Sequence, residues 1–184
     1  MASSEKIKLL VGILQGFENV RAIVFVNTKR TGTTLVRYLK ANGCHARALS
    51  GDVAQDKRQK LIQDFKEGRL DVVVATDVAA RGLHIPGVEL VINYDLPQNN
   101  EDYVHRIGRT ARAGASGSAV SFACEEFVFS LEDIEEYIGM KIPVSSVTES
   151  LMPDLKVPEK PEHRSLKKKD GFSKKNHSRS KKKL

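Results

Sequence analysis

Val72-Val73-Val74-Ala75-Thr76-Asp77-Val78-Ala79-Ala80-Arg81-Gly82 sets a short, wholly apolar run directly against a threonine, an aspartate and an arginine. Such a run reads as a strand buried on both faces, and the carboxyl end of a buried strand is where α/β proteins build their sites. The same arrangement recurs on either side. Ile23-Val24-Phe25-Val26-Asn27-Thr28 is a second strand ending in small polar groups. Gly51-Asp52-Val53-Ala54-Gln55-Asp56-Lys57-Arg58 places a glycine turn before a helix, with Gln55 and Arg58 one turn apart at its start, where phosphate is favoured. Further on, His105-Arg106-Ile107-Gly108-Arg109-Thr110-Ala111-Arg112 carries three arginines at a spacing of three beside a histidine. Guanidinium groups are charged at any working pH and present fixed forks of donors. On one helix, arginines a turn apart would converge on the oxygens of a polyphosphate. Taken alone, this comb fits a solvated basic helix face equally well.

Alternation along the chain predicts the fold. Strands are expected at 22–27, 46–50, 72–76, 89–94 and 118–123, and helices at 4–15, 30–41, 55–67 and 101–107. A βα rhythm of this kind argues for a mainly parallel sheet covered on both faces. A last amphipathic helix is expected at 125–138, where Phe127, Leu131, Ile134 and Ile138 share one face. Its other face carries Glu125, Glu126, Glu132, Asp133, Glu135 and Glu136, and reads as a solvated surface or a partner contact.

Composition bounds the rest. With 184 residues there is room for one ordinary core. Charge is unevenly placed: from Lys156 to Leu184 there are 12 Lys and Arg against 3 Asp and Glu, whereas residues 1–155 carry 18 against 20. The tail alone makes the chain basic. Its lysine runs stand among Ser, Asn, His and Gly, so it buries too little apolar surface to offset chain entropy, and disorder is expected over 151–184. Such a segment attracts nucleic-acid phosphates regardless of sequence, or merely solubilises the protein. Cys44 and Cys124 make no metal-ligand spacing and read as buried small hydrophobes in a reducing, cytoplasmic compartment; no metal site is expected. No apolar run approaches the roughly 20 residues that span a bilayer, and Met1-Ala2-Ser3-Ser4 reads as an added start or a linker remnant, not a targeting signal.

In order and separation, the four strand-end and arginine segments resemble the later motifs of the DEAD-box ATP-dependent RNA helicases. The resemblance covers residues 7 to about 145. Ala80-Arg81-Gly82-Leu83-His84-Ile85-Pro86 and Ala123-Cys124-Glu125-Glu126 look closest to the bacterial RhlB subgroup. It implies a RecA-like three-layer sandwich over residues 1–150, the C-terminal of two such domains, followed by the basic tail at 151–184. The family's phosphate loop and Asp-Glu-Ala-Asp box are absent, and no Gly-Lys pair occurs in the chain. ATP and Mg2+ are therefore expected at an interface with an N-terminal RecA-like domain that carries the magnesium ligands.

Residue by residue, the resemblance implies arginine fingers at Arg109 and Arg112, and an interdomain link to the magnesium-box domain at His105. His84 and Gly82 fall at nucleotide-binding positions. RNA backbone contacts fall to Thr28, Gly51, Arg58, Thr76, Arg81 and Gly82, and interdomain or structural roles to Asp77, Arg106 and Gln55. These RNA positions offer donors but no stacking surface, so binding would ignore base identity. Two positions depart from the family pattern. His84 stands where relatives carry an aspartate that accepts from the ATP ribose, and a neutral imidazole has a single acceptor nitrogen. Ala111 stands where relatives carry glycine; alanine favours a helix slightly, but at positive φ it costs roughly 1 kcal/mol. The expected partners are RNA, the N-terminal domain, and ribonuclease E or another RNA-decay partner within an RNA-degrading assembly, with no membrane. An RNA-binding and docking module without chemistry of its own, or a DNA translocase, would use the same domain type.

Overall fold

A computed structural model describes residues 2–85, 87–111 and 116–159. Five four-residue strands, β1 (Ala22–Phe25), β2 (Ala46–Leu49), β3 (Val72–Ala75), β4 (Leu90–Asn93) and β5 (Ser118–Ser121), form one sheet in the order β2-β3-β1-β4-β5. Every pairing is parallel, with Ala22 opposite both Val72 and Leu90. The helices between them are α1 (Lys6–Gln15), α2 (Lys29–Ala41), α3 (Gln55–Lys66), α4 (Asp77–Ala80), α5 (Asn100–Ile107) and α6 (Phe129–Ile138). The parallel α/β sheet predicted from the alternation is present. The strands end one or two residues earlier than predicted; Val26 and Phe122 still donate to the neighbouring strand, and the chain then turns into helices or loops.

Side chains alternate across the sheet, so each strand serves two cores. Val24, Val72, Val74, Leu90 and Ile92 face Leu9, Leu10, Leu14, Leu35 and Leu39 of α1 and α2. Ile23, Phe25, Val73, Ala75 and Val91 face Leu61 and Phe65 of α3 and Ala79 and Ala80 of α4. A third cluster, Leu96, Tyr103 and Ile134, joins α5 to α6, with Phe127, Leu131 and Ile138 packed against it as the periodicity predicted. The last helix starts later than expected, since 125–128 form a turn.

Two expectations need correction. The chain stays packed beyond residue 150. Leu151, Met152 and Leu155 lie against the α1–α2 core, and the side-chain amide of Asn42 donates to the Lys156 carbonyl and accepts from the Lys156 backbone N, both at 3.0 Å. A Cβ on Gly12 would sit 2.1 Å from the Leu151 carbonyl oxygen, so glycine in mid-helix is what lets this strap lie across α1. Residues 160–184 of the predicted tail lie outside the described residues. Cys44 is only half-buried, whereas Cys124 is buried; neither is in a disulfide. No helix among the described residues is long and apolar enough to cross a membrane.

Candidate functional site

The chain crosses from one half of the sheet to the other beside β1, and the crevice at the carboxyl ends of β1, β3 and β4 is the switch point where such sheets bind ligands. The strands deliver Asn27, Asp77 and Asp95 there. From α5, Arg106 reaches into the crevice and joins them. It is 1% exposed. Its Nε and Nη2 donate to the two oxygens of Asp77, both at 2.7 Å, its Nη1 donates to the Asp95 carbonyl at 2.6 Å, and Nη2 also reaches Asn27 Oδ1 at 3.0 Å. The guanidinium lies over the Phe25 ring, 5.2 Å from its centroid. One side chain thus ties three strand ends to α5, using the bidentate geometry that suits an arginine-carboxylate pair.

The arginine comb is not a helical comb. Its helix stops at Ile107 with Gly108 as cap, and the amides of Arg109 and Thr110 bond back to Arg106 and Ile107 in tighter turns. Arg106 therefore points into the domain while Arg109 sits past the helix end. There its Nη1 donates to the Leu83 carbonyl at 2.7 Å and its Nε to the His105 carbonyl at 3.2 Å. Thr110 anchors the turn by donating to Val88 O at 2.8 Å. Ala111 adopts φ +54°, the left-handed conformation in which the absence of glycine costs most. Arg112 lies outside the described residues.

Next to this hub is an open cavity of about 150 Å³, lined by Phe25, Asp77, Ala80, Arg81, Asp102, His105, Arg106 and Arg109. Five of these were singled out in the sequence: Asp77, Arg81, His105, Arg106 and Arg109. Arg81 donates to Asp102 at 3.2 Å, and the exposed His105 ring is 4.0 Å from the same carboxylate. His84 does not line the cavity; it is exposed, next to the Leu83 carbonyl that Arg109 holds. Gly82 has φ +73° and open space around it.

The remaining positions run along the neighbouring strand ends. Thr28 follows β1 and caps α2, its Oγ1 accepting from Thr31 N at 3.0 Å. Gly51 follows β2, with nothing within 4 Å of a Cβ placed on it, and Thr76 follows β3 as the cap residue of α4. Arg58 crosses from α3 and donates to the Ala79 carbonyl at 2.6 Å, while its Nε is buried without a hydrogen-bond partner. Gln55 opens α3 and is exposed. Residues as far apart in the chain as Thr28 and Thr76 thus share the β2-β3-β1 edge beside the cavity.

Sequence reasoning missed Asp95, Asp102 and Lys6. Asp95 carried a usable signal, because it follows an apolar strand just as Asp77 does. Lys6 carried none: a lysine at the start of a helix ordinarily points to solvent, yet here it is buried against Asp95 at 2.6 Å.

Residues 5–114 match the family described as helicase conserved C-terminal domain. The ATP-dependent RNA helicase RhlB of Xanthomonas axonopodis pv. citri (strain 306) is 54% identical over 154 residues, 84% of this chain and 27% of that protein. The chain thus spans about a quarter of that relative's length. Among solved structures, the E. coli DEAD-box protein SrmB bound to regulator of ribonuclease activity A superimposes with a TM-score of 0.76 at 39% identity, covering 86% of this chain and 92% of that one. S. cerevisiae Dbp5 bound to RNA and ADP BeF3 gives a TM-score of 0.69 at 37% identity, covering 77% of this chain and 39% of that one. With the parallel sheet, these matches show that the chain belongs to the DEAD-box RNA helicases, as their C-terminal RecA-like domain and akin to RhlB.

Proposed function

We propose that this domain is the RNA-gripping, phosphate-sensing half of an ATP-dependent RNA helicase that locally opens short duplexes. The observation that carries this reading is the cavity at the switch point, where Arg109 and His105 reach the surface beside a row of backbone-type donors on the adjacent strand ends. ATP would bind between this face and the N-terminal RecA-like domain. Arg109 here donates to a neutral carbonyl, Leu83 O. Trading that partner for a phosphoryl oxygen would make a charge-assisted bond in the closed state, which is what an arginine finger requires. Arg112 is assigned the same role and His105 the link between domains. His84 and Gly82 lie on the nucleotide side.

Magnesium is assigned to the other domain. Both oxygens of Asp77 are held by Arg106, and Asp102 contacts Arg81, so the cavity carboxylates are already committed. Thr28, Gly51, Arg58, Thr76, Arg81 and Gly82 would hold one RNA strand by its backbone, with the basic tail adding salt-sensitive attraction. Closure bends that strand, and hydrolysis resets the clamp. The likeness to RhlB carries the reading into RNA decay in the cytoplasm, with ribonuclease E as partner.

In the full-length enzyme, Arg109→Ala should slow RNA-stimulated ATP hydrolysis on the order of a hundredfold at saturating RNA, about 2.7 kcal/mol of transition-state stabilisation. Arg81→Ala should instead raise the RNA concentration needed for stimulation. Normal hydrolysis by Arg109→Ala in a single-turnover assay would refute the reading.

A further inference from the structure

We propose that Lys6 is a positioning residue for the nucleotide face, acting through a buried polar chain that runs from the first turn of α1 to Arg106. The proposal rests on the helicase reading above and extends it to a residue with no assigned role. Lys6 is 2% exposed. Its Nζ donates to Asp95 Oδ1 at 2.6 Å, and lies 4.3 Å from the centroid of the Tyr94 ring and 5.0 Å from that of Phe127. The other oxygen of Asp95 accepts from the Asn27 backbone N at 3.0 Å, and the Asp95 carbonyl accepts from Arg106 Nη1. Asn27 in turn accepts from Arg106 Nη2 through its side chain, and donates to the Leu96 carbonyl at 2.9 Å. Lys6, Asp95, Asn27, Arg106 and Asp77 therefore form one connected path. It ends on the helix that precedes Arg109 and on a wall of the cavity.

Local stability does not account for this lysine. A cation at a helix N-terminus opposes the macrodipole, α1 has no acidic residue in its first turn, and Glu5 makes no side-chain cap. Burying an ammonium is unfavourable as well, unless its partner is well placed. A position that breaks two local rules for one carboxylate and the faces of Tyr94 and Phe127 marks a constraint set elsewhere in the fold. Here the constraint is the conformation of the Tyr94-Asp95-Leu96 segment, whose carbonyls and carboxylate fix Asn27 and Arg106.

The test uses the full-length enzyme, with melting temperature, kcat and RNA half-saturation measured together. Lys6→Met combined with Asp95→Asn removes both charges and so avoids leaving one buried ion unpaired. We expect it to melt within a few degrees of wild type, while kcat for RNA-stimulated ATP hydrolysis falls at least roughly tenfold and RNA half-saturation stays unchanged, as a slight misplacement of reacting groups would cause. A variant that melts as wild type with unchanged kcat would overturn the proposal. Should the double variant fail to fold, Lys6→Gln decides, since its amide fills the site but is neutral and one atom shorter, which draws the donor back from Asp95: a reduced kcat at saturating RNA supports the proposal, and an unchanged one overturns it. Arg109→Ala in parallel separates the two readings. If that variant hydrolyses ATP normally, the finger assignment fails; if it is impaired while both Lys6 variants are normal, only the Lys6 assignment fails.

Discussion

Arg106→Leu removes the hub of the switch point and keeps an apolar side chain in its place. Asp77 then loses both donors, and Asn27 Oδ1 and the Asp95 carbonyl lose one each. Breaking a buried ion pair from one side costs about 3–5 kcal/mol. The Asp77 side chain is 24% exposed and borders the cavity, so water can reach it, which places its share near the bottom of that range. The buried Asp95 carbonyl and the half-buried Asn27 Oδ1 add about 1 kcal/mol each, less whatever a water molecule restores. A loss of about 4 kcal/mol results, against the 5–15 kcal/mol typical of a whole domain. With a urea m-value of about 2 kcal/mol/M, the midpoint should fall by about 2 M. Arg106→Lys should fall between the two, because an ammonium reaches Asp77 but cannot reproduce the fork. Equilibrium urea unfolding followed by far-UV circular dichroism measures all three. A loss below about 1 kcal/mol for Arg106→Leu, or equality of Arg106→Lys with wild type, would refute the view that this arginine holds the strand ends together.

Three further outcomes are expected. Ala111→Gly relieves a left-handed alanine at φ +54° and should raise stability by about 1 kcal/mol, seen in a thermal melt as roughly 2–4 °C; a fall in Tm would show that the turn is not strained. Asp64 is held below the ordinary carboxylate range by hydrogen bonds from Arg69 and then Arg47, against the opposing effect of burial. Its stabilising contribution is present above the unfolded pKa of about 4 and is lost as pH falls through the lowered folded value, so Arg69→Ala should reduce the drop in urea midpoint between pH 7 and pH 3; an undiminished drop would exclude Asp64 as a cause. Deleting residues 160–184 removes 11 basic side chains and should weaken RNA binding at low salt, flattening the log–log salt dependence by about one unit per lost phosphate contact, with the circular dichroism spectrum unchanged; an unaltered slope would leave the tail as a solubilising segment.

The sequence by itself determined the sheet and which residue types stand at its carboxyl edge. Runs such as Val72–Ala75 and Ile23–Phe25 are too short and too apolar for anything but buried parallel strands, and the polar residues after them emerge at the carboxyl edge. Thr28, Asp77, Arg81 and Arg109 were therefore legible as site candidates. Which arginine faces inward was legible only through the family resemblance, which gave Arg106 a structural role, and not from spacing. Equal spacing along the chain makes Arg106 and Arg109 look alike, and only the end of α5 at Gly108 turns one into a buried clamp and the other outward. The strap over α1 was equally hidden, since Leu151, Met152 and Leu155 read as sparse apolar residues before a lysine-rich tail until Gly12 opens a track for them. Lys6 and Asp95 are 89 residues apart, and no local pattern announces their pairing. Period and propensity act over one or two turns of chain, whereas the pairing of buried charges is decided by which strand ends the sheet order brings together.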